Sequence, residues 1–164
     1  MKKLTINLIV LFNILLMSCS VDEEVNIPES YNATIVDVSY SQLDYEIIEL
    51  INNYRISQGL SSLYILNEAS KEAINHNNYM VSQGAPSHDY FYLRSQNLKQ
   101  TVNAKTVSEN VAFGFSNAQA LVNAWLNSEG HRENIENPEA TNMGISTTQD
   151  AEGKNYFTNI FVKL

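Results

Sequence analysis

Three histidines, and one glutamate set among apolar residues, are the side chains whose types could carry chemistry in this sequence. His88 follows Pro86-Ser87, in a segment that Pro86 bars from helix and that Gly84 separates from the helical pattern before it. His131 follows Gly130 at the end of another helical pattern. Between them lies Glu109, in the otherwise apolar stretch 107–115, where an ionised carboxylate is expensive unless it has a partner. Two imidazoles and a carboxylate can bind a divalent metal such as zinc, or divide the roles of acid, base and orienting group. The residue types alone leave both open, together with a structural His–Glu hydrogen bond that ties strand to loop. His76 recurs at helical spacing with Ala69, Ala73 and Met80 and is read as a packed core residue. Ser128 stands near His131, but no G-x-S-x-G elbow surrounds it. It is read as capping a helix end or the following turn, not as a nucleophile.

The elements that must position these groups follow from the hydrophobic period. Leu43, Ile47, Leu50, Ile51 and Tyr54 predict an amphipathic helix with Ser41 as N-cap and Gly59 as stop. Residues 60–66 form a short apolar link. A second helix starts near Asn67, carries His76 on its apolar face and ends near Gly84. Residues 91–98 make a short helix, and 107–115 are compatible with a strand. Asn117 caps a helix containing Ala120, Leu121, Ala124 and Trp125 that ends by Gly130. The period then changes to two. Met143, Ile145 and Thr147 alternate, as do Phe157, Asn159 and Phe161 against Tyr156, Thr158, Ile160 and Val162, with the polar segment 149–153 as the hairpin between them. Helices first and strands last make an α+β domain, a sheet covered by helices on both faces. Trp125 is expected to anchor the core, Asn110 and Asn134 to hydrogen-bond backbone around a cavity, and Arg132 to pair with Glu129 or Glu133 at the surface.

The chain has 164 residues, a net charge of −8 and one cysteine. That length suits one domain with a real core. The acidic balance argues against a nucleic-acid partner, which needs a Lys/Arg face that 10 basic residues do not form here. One cysteine excludes an internal disulfide and a Cys-cluster metal site. It is Cys19, directly behind Lys2-Lys3 and an apolar run too short to span a bilayer. Leu16-Met17-Ser18-Cys19 resembles the lipobox of bacterial lipoproteins, which implies a signal peptide over 1–18 and a lipidated Cys19 at the mature N-terminus. Cleavage there removes two lysines and takes the net charge from −8 to −10. The acidic run Asp22-Glu23-Glu24 resembles a surface-export signal of some Gram-negative lipoproteins, and is equally a solvated linker start. Residues 19–41 form a polar tether, and the globular domain runs over 42–164. The expected location is extracytoplasmic, lipid-anchored to an outer membrane, with surface exposure as one option.

In order along the chain stand Pro86-Ser87-His88, Ser108-Glu109-Asn110-Val111-Ala112, the run from Trp125 through Ser128, Gly130, His131 and Arg132 to Asn134-Ile135, and Met143-Gly144-Ile145. Together they resemble the signature blocks of the CAP superfamily (the SCP domain of cysteine-rich secretory and pathogenesis-related proteins), in its bacterial, disulfide-free branch. The resemblance covers 42–164 and implies a three-layer α-β-α sandwich with a central cavity holding two histidines and two glutamates. By motif position His88 and His131 match the histidines and Glu109 the first glutamate. The second glutamate's place is taken by Ser128, with Glu129 one position along as a weak substitute. The implied chemistry is a divalent-metal site on His88 and His131, supported by Glu109. Weaker readings make His88, Glu109 and His131 catalytic. Family members are associated with lipid, cell-wall and protein ligands and with proteolysis. A binding or interaction module, a metal-assisted peptidase or esterase, and a purely structural surface protein are the readings carried forward.

Overall fold

The structure, a computed structural model, describes residues 37–164. Residues 1–36, which include Cys19 and over which the signal segment and most of the tether are expected, lie outside the described residues. Among those described, no helix is long and apolar enough to cross a membrane.

Helix α1 (Gln42–Ser57) begins at Ser41, whose hydroxyl accepts from the Asp44 N–H while the Asp44 carboxylate accepts from the Ser41 N–H. This capping box satisfies two donors that a helix start otherwise leaves open. The link that follows contains a two-residue strand, β1 (Tyr64–Ile65), which the short apolar stretch did not predict. Helix α2 (Asn67–Gln83) ends at Gly84, which takes the left-handed conformation at φ 68°. Helix α3 (Phe91–Thr101), strand β2 (Thr106–Phe113) and helix α4 (Ala118–Asn127) come next, the last capped by the Asn117 side chain on the Ala120 N–H.

Gly130 does not stop α4. The chain instead breaks at Ser128, a single extended residue that closes α4 and opens a further helix, α5 (Glu129–Glu136). Ser128 uses its backbone for this, since its carbonyl accepts from the Arg132 N–H and its side chain makes no cap bond. His131 therefore lies inside a helix and not behind the end of one. Strands β3 (Asn142–Gln149) and β4 (Asn155–Lys163) finish the chain as the expected hairpin.

The sheet order is β1-β3-β4-β2, with β1 parallel to β3 and the other pairs antiparallel. Strand β4 is buried along nearly its whole length, and its period of two splits the core. Phe157 and Phe161 pack with Ile47, Ile51, Leu121, Trp125 and Ile135 from α1, α4 and α5. Ile160 and Val162 face Ala69, Ala73 and Leu98 from α2 and α3, with Tyr156 against Tyr79 and Met80. The result is the α+β class in three layers, α-β-α. The contact between α2 and the sheet is close enough to dictate a residue type. A Cβ on Gly144 would lie 2.3 Å from the Ala69 carbonyl carbon and the Ser70 nitrogen. Only glycine lets the first turn of α2 rest on β3 there, and Ser70 Oγ uses the proximity to accept from the Ile145 N–H at 3.1 Å.

Candidate functional site

Glu109 lies on β2, its side chain 2% exposed. Burial on that scale requires a partner, and the partner is Arg94, on the buried side of α3 and fully enclosed. The pair is bidentate. Arg94 Nε donates to Glu109 Oε2 at 2.7 Å and Nη2 to Oε1 at 2.7 Å, the planar fork that makes such pairs strong. Burial by itself would raise the Glu109 carboxyl. The hydrogen bond from His88 and the charge and hydrogen bonds of Arg94 more than offset it and hold the group below the ordinary carboxylate value. Glu109 is therefore ionised at neutral pH and can only accept.

That fixes the tautomer of His88. Its Nδ1 lies 2.9 Å from Glu109 Oε1, so Nδ1 carries the proton and Nε2 is the free nitrogen of the neutral ring. His88 is itself 53% exposed, but the backbone on each side is pinned. The Ser87 carbonyl accepts from His76 Nε2 at 2.7 Å. Asp89 is held twice, its carboxylate by Tyr79 Oη at 2.9 Å and its carbonyl by Arg94 Nη1 at 2.8 Å. Tyr90 then turns the chain into α3 with φ 57°, an uncommon conformation for a bulky residue. One side chain, Arg94, thus orients both the carboxylate behind His88 and the loop that carries it.

His76 is fully buried, as expected of a core residue, but it belongs to the same cluster, its Nε2 3.9 Å from Glu109 Oε1. Burial and the Arg94 charge, partly offset by Glu109, lower it to about 4. It is neutral at physiological pH and adds no second cation beside Arg94.

His131 arrives from the other side of the edge strand β2. Helix α5 is fastened to that strand by side-chain amides: Asn110 Nδ2 donates to the His131 carbonyl at 2.9 Å, and Asn134 Nδ2 to the Glu109 carbonyl at 3.2 Å and to Asn110 Oδ1 at 2.8 Å. The first two are the backbone bonds expected of Asn110 and Asn134, and the third joins the two side chains. Buried Arg55 closes the far end of α5, donating through Nη1 to the Asn137 carbonyl at 3.0 Å, where a helix C-terminus favours a cation. The His131 ring makes no hydrogen bond among the described residues. Burial, reinforced by repulsion from His88 whenever that ring is protonated, lowers its pKa, so His131 favours the neutral form.

Glu129 is exposed in the first turn of α5 and makes none of these bonds. Arg132 donates to the Leu126 carbonyl at 3.0 Å and faces Glu136 at 4.0 Å, one helical turn on, in place of Glu129 or Glu133. Trp125 is the expected core anchor, and its Nε1 donates to the Val111 carbonyl at 3.2 Å. Arg94 is the residue that sequence reasoning missed. Its signal was the i, i+4 spacing to Leu98, which put a cation on the apolar face of a short helix opposite a lone glutamate.

The fold and this arrangement meet the known families at one point: the chain belongs to the cysteine-rich secretory protein (CAP) family, whose profile matches residues 48–162. It is 35% identical over 115 residues to protein YkwD of Bacillus subtilis, covering 65% of this chain and 43% of that protein. It is 29% identical over 121 residues to the membrane protein YlbC of the same organism, covering 72% of this chain and 34% of that one. The chain thus spans less than half the length of either relative. Among solved structures it is similar to an outer surface protein of Borrelia burgdorferi, with a TM-score of 0.69 and 22% identity over 77% of this chain and 96% of that one. An extracellular SCP-domain protein of Bacillus anthracis gives a TM-score of 0.64 and 28% identity, over 73% of this chain and 40% of that one.

For a divalent metal the described residues offer only a restricted set of donors. Both Glu109 oxygens are occupied by Arg94, so the carboxylate is not free to ligate. Among the described residues no three His, Cys, Asp or Glu side chains gather to hold an ion. The His88 Nε2 and the His131 ring are uncommitted, and a carboxylate behind His88 is the usual way a ligating imidazole is oriented. The protein donors to such an ion would be the two imidazoles, with remaining positions left to water or a ligand atom.

If Arg94 and Glu109 stabilise each other as this geometry requires, their substitutions are not additive. Arg94→Met and Glu109→Gln should each cost about 3–5 kcal/mol in denaturant unfolding, since each strands a buried polar partner. The double variant should cost clearly less than the two together. Additive losses would contradict the pairing.

Proposed function

We propose that this protein is a lipid-anchored extracytoplasmic CAP module that binds a ligand at the His88/His131 surface, with a divalent cation held by the two imidazoles. The observation that carries the reading is the commitment of Glu109 to Arg94. A carboxylate locked in a buried bidentate pair orients His88 well and is a poor proton carrier, because protonating it would strand the guanidinium. That favours recognition over peptidase or esterase chemistry, which needs a carboxylate free to exchange a proton. The ligand classes consistent with the family are a lipid, a cell-wall polymer or a protein. A zinc-type ion on His88 and His131 would leave open positions for an oxygen or nitrogen atom of that ligand.

The cellular placement is part of the same proposal. The names of the relatives include an outer surface protein, an extracellular protein and a membrane protein, and Leu16-Met17-Ser18-Cys19 supplies a lipidation sequence. A diacyl anchor on Cys19 holds a protein to a bilayer far more firmly than a single chain does, so a domain of net negative charge needs no basic patch to stay there.

Calorimetric titration of the full chain with zinc tests the site. Binding should weaken at least about tenfold in both His88→Ala and His131→Ala, and by about tenfold in Glu109→Gln, which removes the charged group orienting His88. Equal binding by wild type and the two histidine variants would remove the metal from the account. The anchor is tested by detergent phase partitioning: Cys19→Ala should move the protein into the aqueous phase, and unchanged partitioning would exclude lipidation at that residue.

A further inference from the structure

On the sheet face opposite Glu109, at the hairpin end, a cleft of about 470 Å³ is lined by Ser41, Leu43, Ser116, Thr147, Gln149 and Asn155. Its size falls within the range of small-ligand sites. It shares no residue with the His88/His131 site and does not depend on the function proposed for it. None of the lining side chains is ionisable, and five of the six carry neutral hydrogen-bonding groups.

The hydrogens of those groups are already directed. Asp44, buried behind the cleft, takes the Thr147 hydroxyl hydrogen on Oδ1 at 2.7 Å and the Ser41 hydroxyl hydrogen on Oδ2 at 2.6 Å. With their hydrogens spent, both hydroxyls can offer a ligand only lone pairs. Asn155 is 92% buried, its relative exposure being 8%, and its Nδ2 spends one hydrogen on the Phe115 carbonyl at 2.9 Å, which leaves Oδ1 as an acceptor beside the second amide hydrogen. The cleft thus presents acceptors set in advance by the fold. Gln149 and Ser116, whose side chains make no hydrogen bond among the described residues, add adaptable donors at the rim. Leu43 adds an apolar surface.

An anion is disfavoured by acceptors backed by a carboxylate. An ammonium group gains little, since both Asp44 oxygens are occupied and no carboxylate lines the cleft. A neutral ligand rich in hydroxyl donors, with an apolar ring face, matches every group. We infer that this cleft is a carbohydrate-binding site, in which Asn155, Thr147 and Ser41 accept from sugar hydroxyls and Gln149 and Ser116 complete the contacts.

The test is a titration of the full chain with maltose and with chitobiose, followed by the side-chain amide signals of Gln149 and Asn155 in ¹H–¹⁵N spectra. At least one sugar should shift these signals saturably. Gln149→Ala and Ser116→Ala, both at exposed positions, should each weaken that binding about fivefold, the loss of one hydrogen bond, with unchanged thermal unfolding. Three outcomes would overturn the inference: no shift with either sugar up to about 10 mM, equal binding by the two variants, or shifts produced by methylammonium chloride and not by the sugars.

Discussion

The Arg94–Glu109 pair is the interaction on which the rest of the site depends. An ionised carboxylate on a buried strand position costs several kcal/mol unless its charge and lone pairs are met. Here a single guanidinium meets both oxygens and still has a donor left for the Asp89 carbonyl. The pair therefore joins α3 to β2, sets the path of the loop between α2 and α3, and keeps a negative charge behind His88. His76 completes the enclosure as a neutral ring. A protonated imidazole there would sit beside Arg94 in a region with little water, and that repulsion, together with burial, is why it stays uncharged.

The second constraint is the exposed edge of the sheet. Strand β2 is one of the sheet's two edge strands, and an edge with open backbone groups invites unwanted pairing. Asn134 and Trp125 take the carbonyls of Glu109 and Val111, so the edge is closed by α5 and α4. The same closure brings His131 over the edge toward His88. Stability and site construction are therefore one arrangement: the helix that protects the strand also delivers the second imidazole. This explains why the site consists of one imidazole on a pinned loop and one on a short helix, with the sheet between their elements.

Much of this was legible in the sequence because the period of two along β4 is strict. Phe157 and Phe161 could face only one layer and Ile160 and Val162 the other, which gave the sandwich directly. The caps at Ser41 and Asn117 were readable for a similar reason, as their chemistry is local. The expense of a lone carboxylate at Glu109 was equally visible. Its partner was not, because three arginines were available and nothing local says which one folds back across 15 residues to reach it. The position of His131 was misjudged because Gly130 looked like a helix stop. The break fell instead at Ser128, whose backbone begins the next helix. Strand β1 escaped because two residues carry no period, and only pairing with β3 makes them a strand.

The central claim is that Glu109 is ionised, is held by Arg94, and dictates which nitrogen of His88 faces outward. Long-range ¹H–¹⁵N correlation of the histidine side chains reports this directly. At a pH where the ring is neutral, His88 should be protonated on Nδ1 with Nε2 bare, and this preference should be lost in Glu109→Leu. A His88 ring protonated on Nε2 in the native protein, with Nδ1 bare, would contradict the account.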